Sequence, residues 1–127
     1  MESNNINKRS FGAEGERIAV KDLMRKGYGI LATNYRVGRL GEIDIIARQG
    51  EYICFVEVKT RSNTFFGMPA EAVTRKKQAN IRKIASVYIN QFKLHNCNVR
   101  FDIVEILGSK RNGEFEVKEI NVLQNAF

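Results

Sequence analysis

Residues 41–61 read GEIDIIARQGEYICFVEVKTR, two runs rich in β-branched and aromatic residues separated by Gln49-Gly50-Glu51. Runs of this kind, split by a short glycine-containing turn, predict two strands paired as an antiparallel hairpin. Side chains alternate across a strand, which puts Phe55, Glu57 and Lys59 on one face and Val56 and Val58 on the other. In the preceding run Glu42, Asp44 and Ile46 share a face, opposite Ile43, Ile45 and Ala47. Acids and a lysine thus occupy strands whose other residues belong in a core, and pairing of the two runs lets Asp44 and Glu57 approach each other.

Upstream, the pattern from about Lys8 to Lys26 is helical, with Ala19, Val20, Leu23 and Met24 on one side and Gly27 as a left-handed stop. YGILATNYR (28–36) is strand-like and ends in the turn VGRLG (37–41). The short links make these three strands an antiparallel meander. Downstream, the loop SNTFFGM (62–68) leads to Pro69, suited to the first turn of a helix from about Ala70 to Phe92. Val73, Ile81, Ile84 and Tyr88 share one face of that helix. NVRFDIVEIL (98–107) is a strand, GSKRNGE (108–114) a turn and FEVKEINV (115–122) a last strand. A strand reached across a helix should pair parallel to its predecessor through a right-handed crossover. The expected fold is α/β, in the order α-β-β-β-α-β-β, with a mixed sheet flanked by helices.

With 127 residues the chain suits one domain, 1–127, with residues 1–7 and the tail from about Leu123 expected to fray. A composition 43% hydrophobic and 28% charged is that of an ordinary globular protein rather than a disordered one. No apolar run approaches the roughly 20 residues needed to span a bilayer, and MESNNINKRSFG has no apolar h-region, so no membrane contact and a cytoplasmic location are expected. Cys54 and Cys97 lack zinc-site spacing and read as buried thiols. Twenty-one Lys and Arg against 14 Asp and Glu give a net charge of +7. That excess attracts polyanions, nucleic acid first and anionic membrane second; it also fits charge that serves solubility alone.

Two carboxylates brought together repel unless one is protonated or a cation lies between them. Hard oxygen ligands of this kind suit Mg²⁺ or Mn²⁺, and Lys59 beside them could hold a scissile phosphate or position and help deprotonate a water. An Asp44/Glu57/Lys59 ion-pair cluster on a wetted sheet face fits the same spacing. Glu16 falls between Val20 and Leu23 on the helical wheel, inside the apolar stripe, and needs a partner there: a metal or the Lys59 ammonium. A Glu that snorkels to solvent, or a short first helix that starts after it, fits the same position.

On the second helix Arg75, Lys76, Arg82 and Lys83, with Gln78, form a stripe opposite the apolar face, and Arg61 ends the third strand. Such residues would contact phosphates with little sequence preference; a solvated helix face accounts for them equally. Lys77 falls on the apolar side and fits only as a snorkelling side chain. Phe65 and Phe66 could meet a base or anchor their loop. His95 has no partner in sequence, and neither a Walker-type phosphate loop nor GxSxG is present.

Gly12, Gly15 and Glu16, NYR at 34–36, GEIDIIA at 41–47, FVEVKTR at 55–61 and FGMPAEAV at 66–73 together resemble the YraN family. These are small, largely uncharacterised bacterial proteins for which endonuclease activity is predicted. The likeness runs from about Phe11 to Leu107. It implies a restriction-endonuclease-like αβββαβ core of the Holliday-junction-resolvase branch of the PD-(D/E)XK superfamily. It further implies Asp44 and Glu57 as metal ligands, Lys59 as the catalytic lysine and Glu16 as the helix acid completing the site. Ile43 stands where the motif's name has proline, and Glu42 adds an acid to which the motif assigns no role, a further candidate ligand. The function this implies is Mg²⁺- or Mn²⁺-dependent hydrolysis of DNA, branched or otherwise structured, and symmetric cutting of two strands would call for a homodimer. The alternative is a non-catalytic module that binds DNA or RNA on a retained nuclease fold.

Overall fold

The computed structural model describes residues 2–61 and 73–127. Helix α1 spans Glu2–Arg25 and strand β1 Gly29–Val37; a short 3₁₀ turn, Gly38–Leu40, leads into β2, Gly41–Gln49, and β3, Tyr52–Arg61. Helix α2 spans Arg75–Phe92, followed by β4, Asn98–Arg111, and β5, Glu114–Leu123. The five strands lie in the order β1-β2-β3-β4-β5, antiparallel except for the parallel β3–β4 pair. The order and pairing expected from periodicity and loop length are those observed.

Alternate residues of β3 divide the core in two. Ile53 and Phe55 pack with Val73, Ile81, Ile84, Ala85 and Tyr88 around α2. Cys54 and Val56 face the other way, towards Ala19 and Leu23 of α1. Each helix therefore covers one face of the sheet. Met24, expected in the α1 stripe, is 59% exposed instead. Gly27, at φ 90°, closes α1 while the Tyr28 N–H donates to the Leu23 carbonyl at 3.0 Å, as a glycine stop predicts.

Several boundaries differ from the sequence reading. Helix α1 starts at Glu2 rather than near Lys8. Helix α2 starts at Arg75 rather than Ala70, because Thr74 is extended and its side chain accepts a hydrogen bond from the Lys77 N–H at 3.1 Å, a regular N-cap. Pro69, Phe65 and Phe66 lie outside the described residues. The supposed turn at 108–114 shrinks to Asn112-Gly113, both at positive φ, so β4 and β5 form a tight hairpin. Fraying was expected from about Leu123, yet the Asn125 N–H donates to Asp102 and the Ala126 N–H to the Phe101 carbonyl, and the Phe127 ring lies against Phe101. Hydrogen bonds and aromatic burial dock this tail.

Candidate active site

The β2–β3 ladder runs from Gln49↔Tyr52 to Ile45↔Val56 and stops there. Beyond it the two strands part, and acidic side chains take over the hydrogen bonds that the backbone gives up. The Val58 N–H donates to Asp44 Oδ2 at 2.8 Å, and the Asp44 N–H donates to Glu57 Oε2 at 3.4 Å. Strict alternation fails at the same place: Ile43 joins Ile46 in the α2 core, while Ile45 belongs to the α1 core.

A cleft of about 400 Å³ opens at this split, lined by residues that include Glu16, Asn34, Glu42, Asp44, Lys59 and Lys77. Gly15 lets α1 approach closely enough to put Glu16 there; a methyl group at Gly15 would run into Thr60 Oγ1 on β3. Glu16 accepts a hydrogen bond from Asn34 Nδ2 at 2.9 Å. Asn34 holds a left-handed backbone, φ 50°, which asparagine tolerates better than most residues. Glu42 sits 3.7 Å from Arg36. Lys77 reaches over from the first turn of α2, its Nζ 3.1 Å from Glu57 Oε1.

These charges are held against their preferences. Glu57 is 1% exposed, and burial, with the Asp44 charge beside it, pushes its carboxyl up to about 7. Burial also raises Asp44, although the Val58 N–H and the Lys77 and Lys59 charges pull the other way. Glu16 is raised by burial and by Asp44 and Glu42, against the Asn34 bond. Lys59 is lowered, first by burial and then by Lys77, which overcome the attraction of Glu57 and Asp44. Burial opposes the charge on Lys77, but the Glu57 and Asp44 charges outweigh it and hold the ammonium above its ordinary range. Glu57 Oε1 is buried and has Lys77 as its charge partner, yet lacks a directed hydrogen bond.

That oxygen, with the Asp44 carboxylate beside it, makes a hard-oxygen pair that fits a divalent cation of the Mg²⁺ type, which is commonly held by one or two carboxylates and keeps several waters. Among the described residues no group of three acidic, histidine or cysteine side chains stands ready as a ligand set. Glu16 and Glu42 lie in the cleft wall, engaged by Asn34 and Arg36.

The profile of Uncharacterised protein family UPF0102 matches residues 15–106. The chain belongs to that family. Its relatives include a UPF0102 protein of Acetivibrio thermocellus, 50% identical over 98% of this chain and 95% of the relative. Another, from Caldicellulosiruptor saccharolyticus, is 46% identical over 96% of this chain and the whole of the relative. A UPF0102 protein of Dictyoglomus turgidum is 44% identical over the same shares. No helix among the described residues is long and apolar enough to cross a membrane.

In this UPF0102 chain the cleft gathers Asp44, Lys59 and Glu16, which the sequence singled out, with Glu57 buried behind Asp44 and Lys77, and adds two residues that it did not. Asn34 was visible only as part of NYR. Lys77 was visible as an anomaly, a lysine on the apolar side of its helix, and the cause is Glu57 beneath it. The basic stripe is less uniform than its spacing suggests. Arg75, Lys76 and Lys83 are exposed. The Arg82 guanidinium lies 4.5 Å from the Phe101 ring centre, Gln78 Nε2 donates to the Val73 carbonyl at 2.9 Å, and Arg61 stands 3.5 Å from Glu105.

Proposed function

We propose that this protein is a restriction-endonuclease-like phosphodiesterase that hydrolyses nucleic acid, DNA in preference, with Mg²⁺ or Mn²⁺ held by Asp44 and Glu57. The observation that carries the reading is the pair of acids filling the split between β2 and β3, with Asp44 and Lys59 lining the cleft that opens there. Perturbed acids and bases gathered in one cleft are characteristic of catalytic sites. The bound cation would supply charge stabilisation to the phosphate and make an attacking water more acidic. Lys59, with its lowered pKa, sheds its proton more readily than an ordinary lysine; it suits holding the scissile phosphate or taking a proton from water at Nζ. Glu16 closes the cleft from α1 and, with Asn34, bounds the space beside Asp44. Arg75, Lys76 and Lys83 offer exposed cations to flanking phosphates, and the net charge of +7 draws a polyanion to them.

A second reading rests on the same cleft. Lys77 already offsets the Glu57 charge and Asn34 engages Glu16, an arrangement that also suits a module binding DNA or RNA without cutting it. Incubating the purified protein with junction, flap, single-stranded and duplex DNA, in Mn²⁺ or in chelator, separates the two. Metal-dependent cutting that Asp44→Ala and Lys59→Ala abolish supports hydrolysis at this site. Cutting that survives both substitutions removes the site assignment; binding without cutting by the wild type favours the second reading.

A further inference from the structure

Lys77 occupies a position that helix stability does not explain. The first turn of α2 carries Arg75, Lys76 and Lys77 and no acid, although cations there oppose the helix dipole. The side chain of Lys77 is 45% exposed, whereas that of Glu57 is 1% exposed. The lysine therefore has solvent on one side into which it can turn, while the carboxylate is enclosed. Glu57 Oε2 is held by the Asp44 N–H, and Oε1, the oxygen without a directed donor, faces Lys77 Nζ at 3.1 Å. A divalent ion shared by Asp44 and Glu57 would draw on that same oxygen, and an ammonium 3.1 Å from it would repel the ion and compete for its charge.

Resting on the metal-site reading given above, we propose that Lys77 is the resident counter-ion of the acid pair, and that a divalent cation enters only as Lys77 leaves Glu57. Lys77 is thus a positioning residue that gates metal loading. Without the cation it offsets the charge of a buried acid that would otherwise stand uncompensated. With a cation bound, its ammonium would turn away from Glu57 within the cleft that it and Lys59 both line.

Mn²⁺ affinity, measured by isothermal titration calorimetry on the whole chain without nucleic acid, tests this independently of activity. Lys77→Met should bind Mn²⁺ about tenfold more tightly than wild type, since a contact charge is removed; Lys76→Met, which removes the same charge one residue away, should change affinity by less than about threefold because solvent screens it. Lys77→Arg, which keeps charge and reach, should bind no more tightly than wild type, and covers the case in which the methionine variant fails to fold. Equal or weaker binding by Lys77→Met, an equal gain in Lys76→Met, or tighter binding by Lys77→Arg overturns the gate. Failure of both wild type and Lys77→Met to bind Mn²⁺ at millimolar concentration overturns the metal-site reading itself.

Discussion

Glu57 makes the metal-free protein less stable as pH rises, and Glu57→Gln should remove that dependence. The carboxyl moves from an ordinary 4.5 to about 7 on folding, chiefly through burial and the Asp44 charge. The folded state then binds the proton more tightly than the unfolded chain, so the stabilisation is complete below about pH 4.5. It is lost as pH rises through about 7. Each unit of separation corresponds to about 1.4 kcal/mol, so the whole change is about 3 kcal/mol for this fully buried group. Asp44 is raised as well, and because the two acids repel each other their protons come off in two steps that belong to the pair rather than to either residue.

The assay is urea unfolding of wild type and Glu57→Gln in chelator at several pH values between 4.5 and 8. Taking the difference between the two proteins cancels the carboxylates they have in common. Relative to the variant, wild type should lose about 3 kcal/mol across that range, most of it between pH 5 and 7. The reasoning is refuted if the two curves run parallel, or if wild type gains on the variant as pH rises. Either result would mean that Glu57 is ionised throughout and adequately paired by Lys77.

Two further predictions concern the scaffold. Gly15→Ala should destabilise the protein by about 1–2 kcal/mol because the new methyl group meets Thr60 Oγ1, and Thr60→Ala should relieve this; a single Gly15→Ala variant more stable than wild type would show that α1 has room to move. Arg100→Met strips Asp102, 0% exposed, of its guanidinium partner and should cost about 3–5 kcal/mol in urea unfolding, with the double change to Arg100→Met and Asp102→Leu costing less; a single variant within about 1 kcal/mol of wild type would contradict this.

The fold was legible because each element announces itself locally. The alternation in residues 41–61, the short turns and the stripe through Val73, Ile81, Ile84 and Tyr88 each follow from backbone periodicity, and together they determine a β-meander, a helix and a parallel return. Asp44, Glu57 and Lys59 stood out for a related reason: a period-2 pattern exposes any charge that breaks it. What escaped depends on closure of the chain. Arg100 donates to Asp102, Tyr28 and Gln49, and Gln124 donates to the last two; no spacing rule links positions so far apart. The start of α2 was misplaced because Pro69 is a strong first-turn signal, whereas the cap that sets the helix is Thr74. The wheel showed the direction of the basic stripe, and Arg75, Lys76, Arg82 and Lys83 are all exposed, but it could not show that the Arg82 guanidinium also lies over the Phe101 ring.

Two buried acid networks in one small domain show where chemistry is to be sought. Asp102 receives two hydrogen bonds from Arg100 Nε, a third from Nη2 and a fourth from the Asn125 N–H, and the network ties the sheet to the docked tail. Such an acid has its charge answered and serves architecture. Glu57 is buried as deeply, yet one oxygen lacks a directed donor, its carboxyl is raised to about 7, and its cationic partner is a half-exposed lysine on another element. Its Oε2 answers the Asp44 N–H, but the ion pair at Oε1 is costly, since a buried ion pair is often no more stabilising than a hydrophobic replacement. Among the buried acids of the described residues, the one with an oxygen lacking a directed donor is the one that lies where two strands part and a cleft begins. The same sheet supplies a well-satisfied acid elsewhere, so the poorly answered charge at Glu57 is local to the edge of the cleft, which is the situation that the proposed exchange of Lys77 for a metal cation requires.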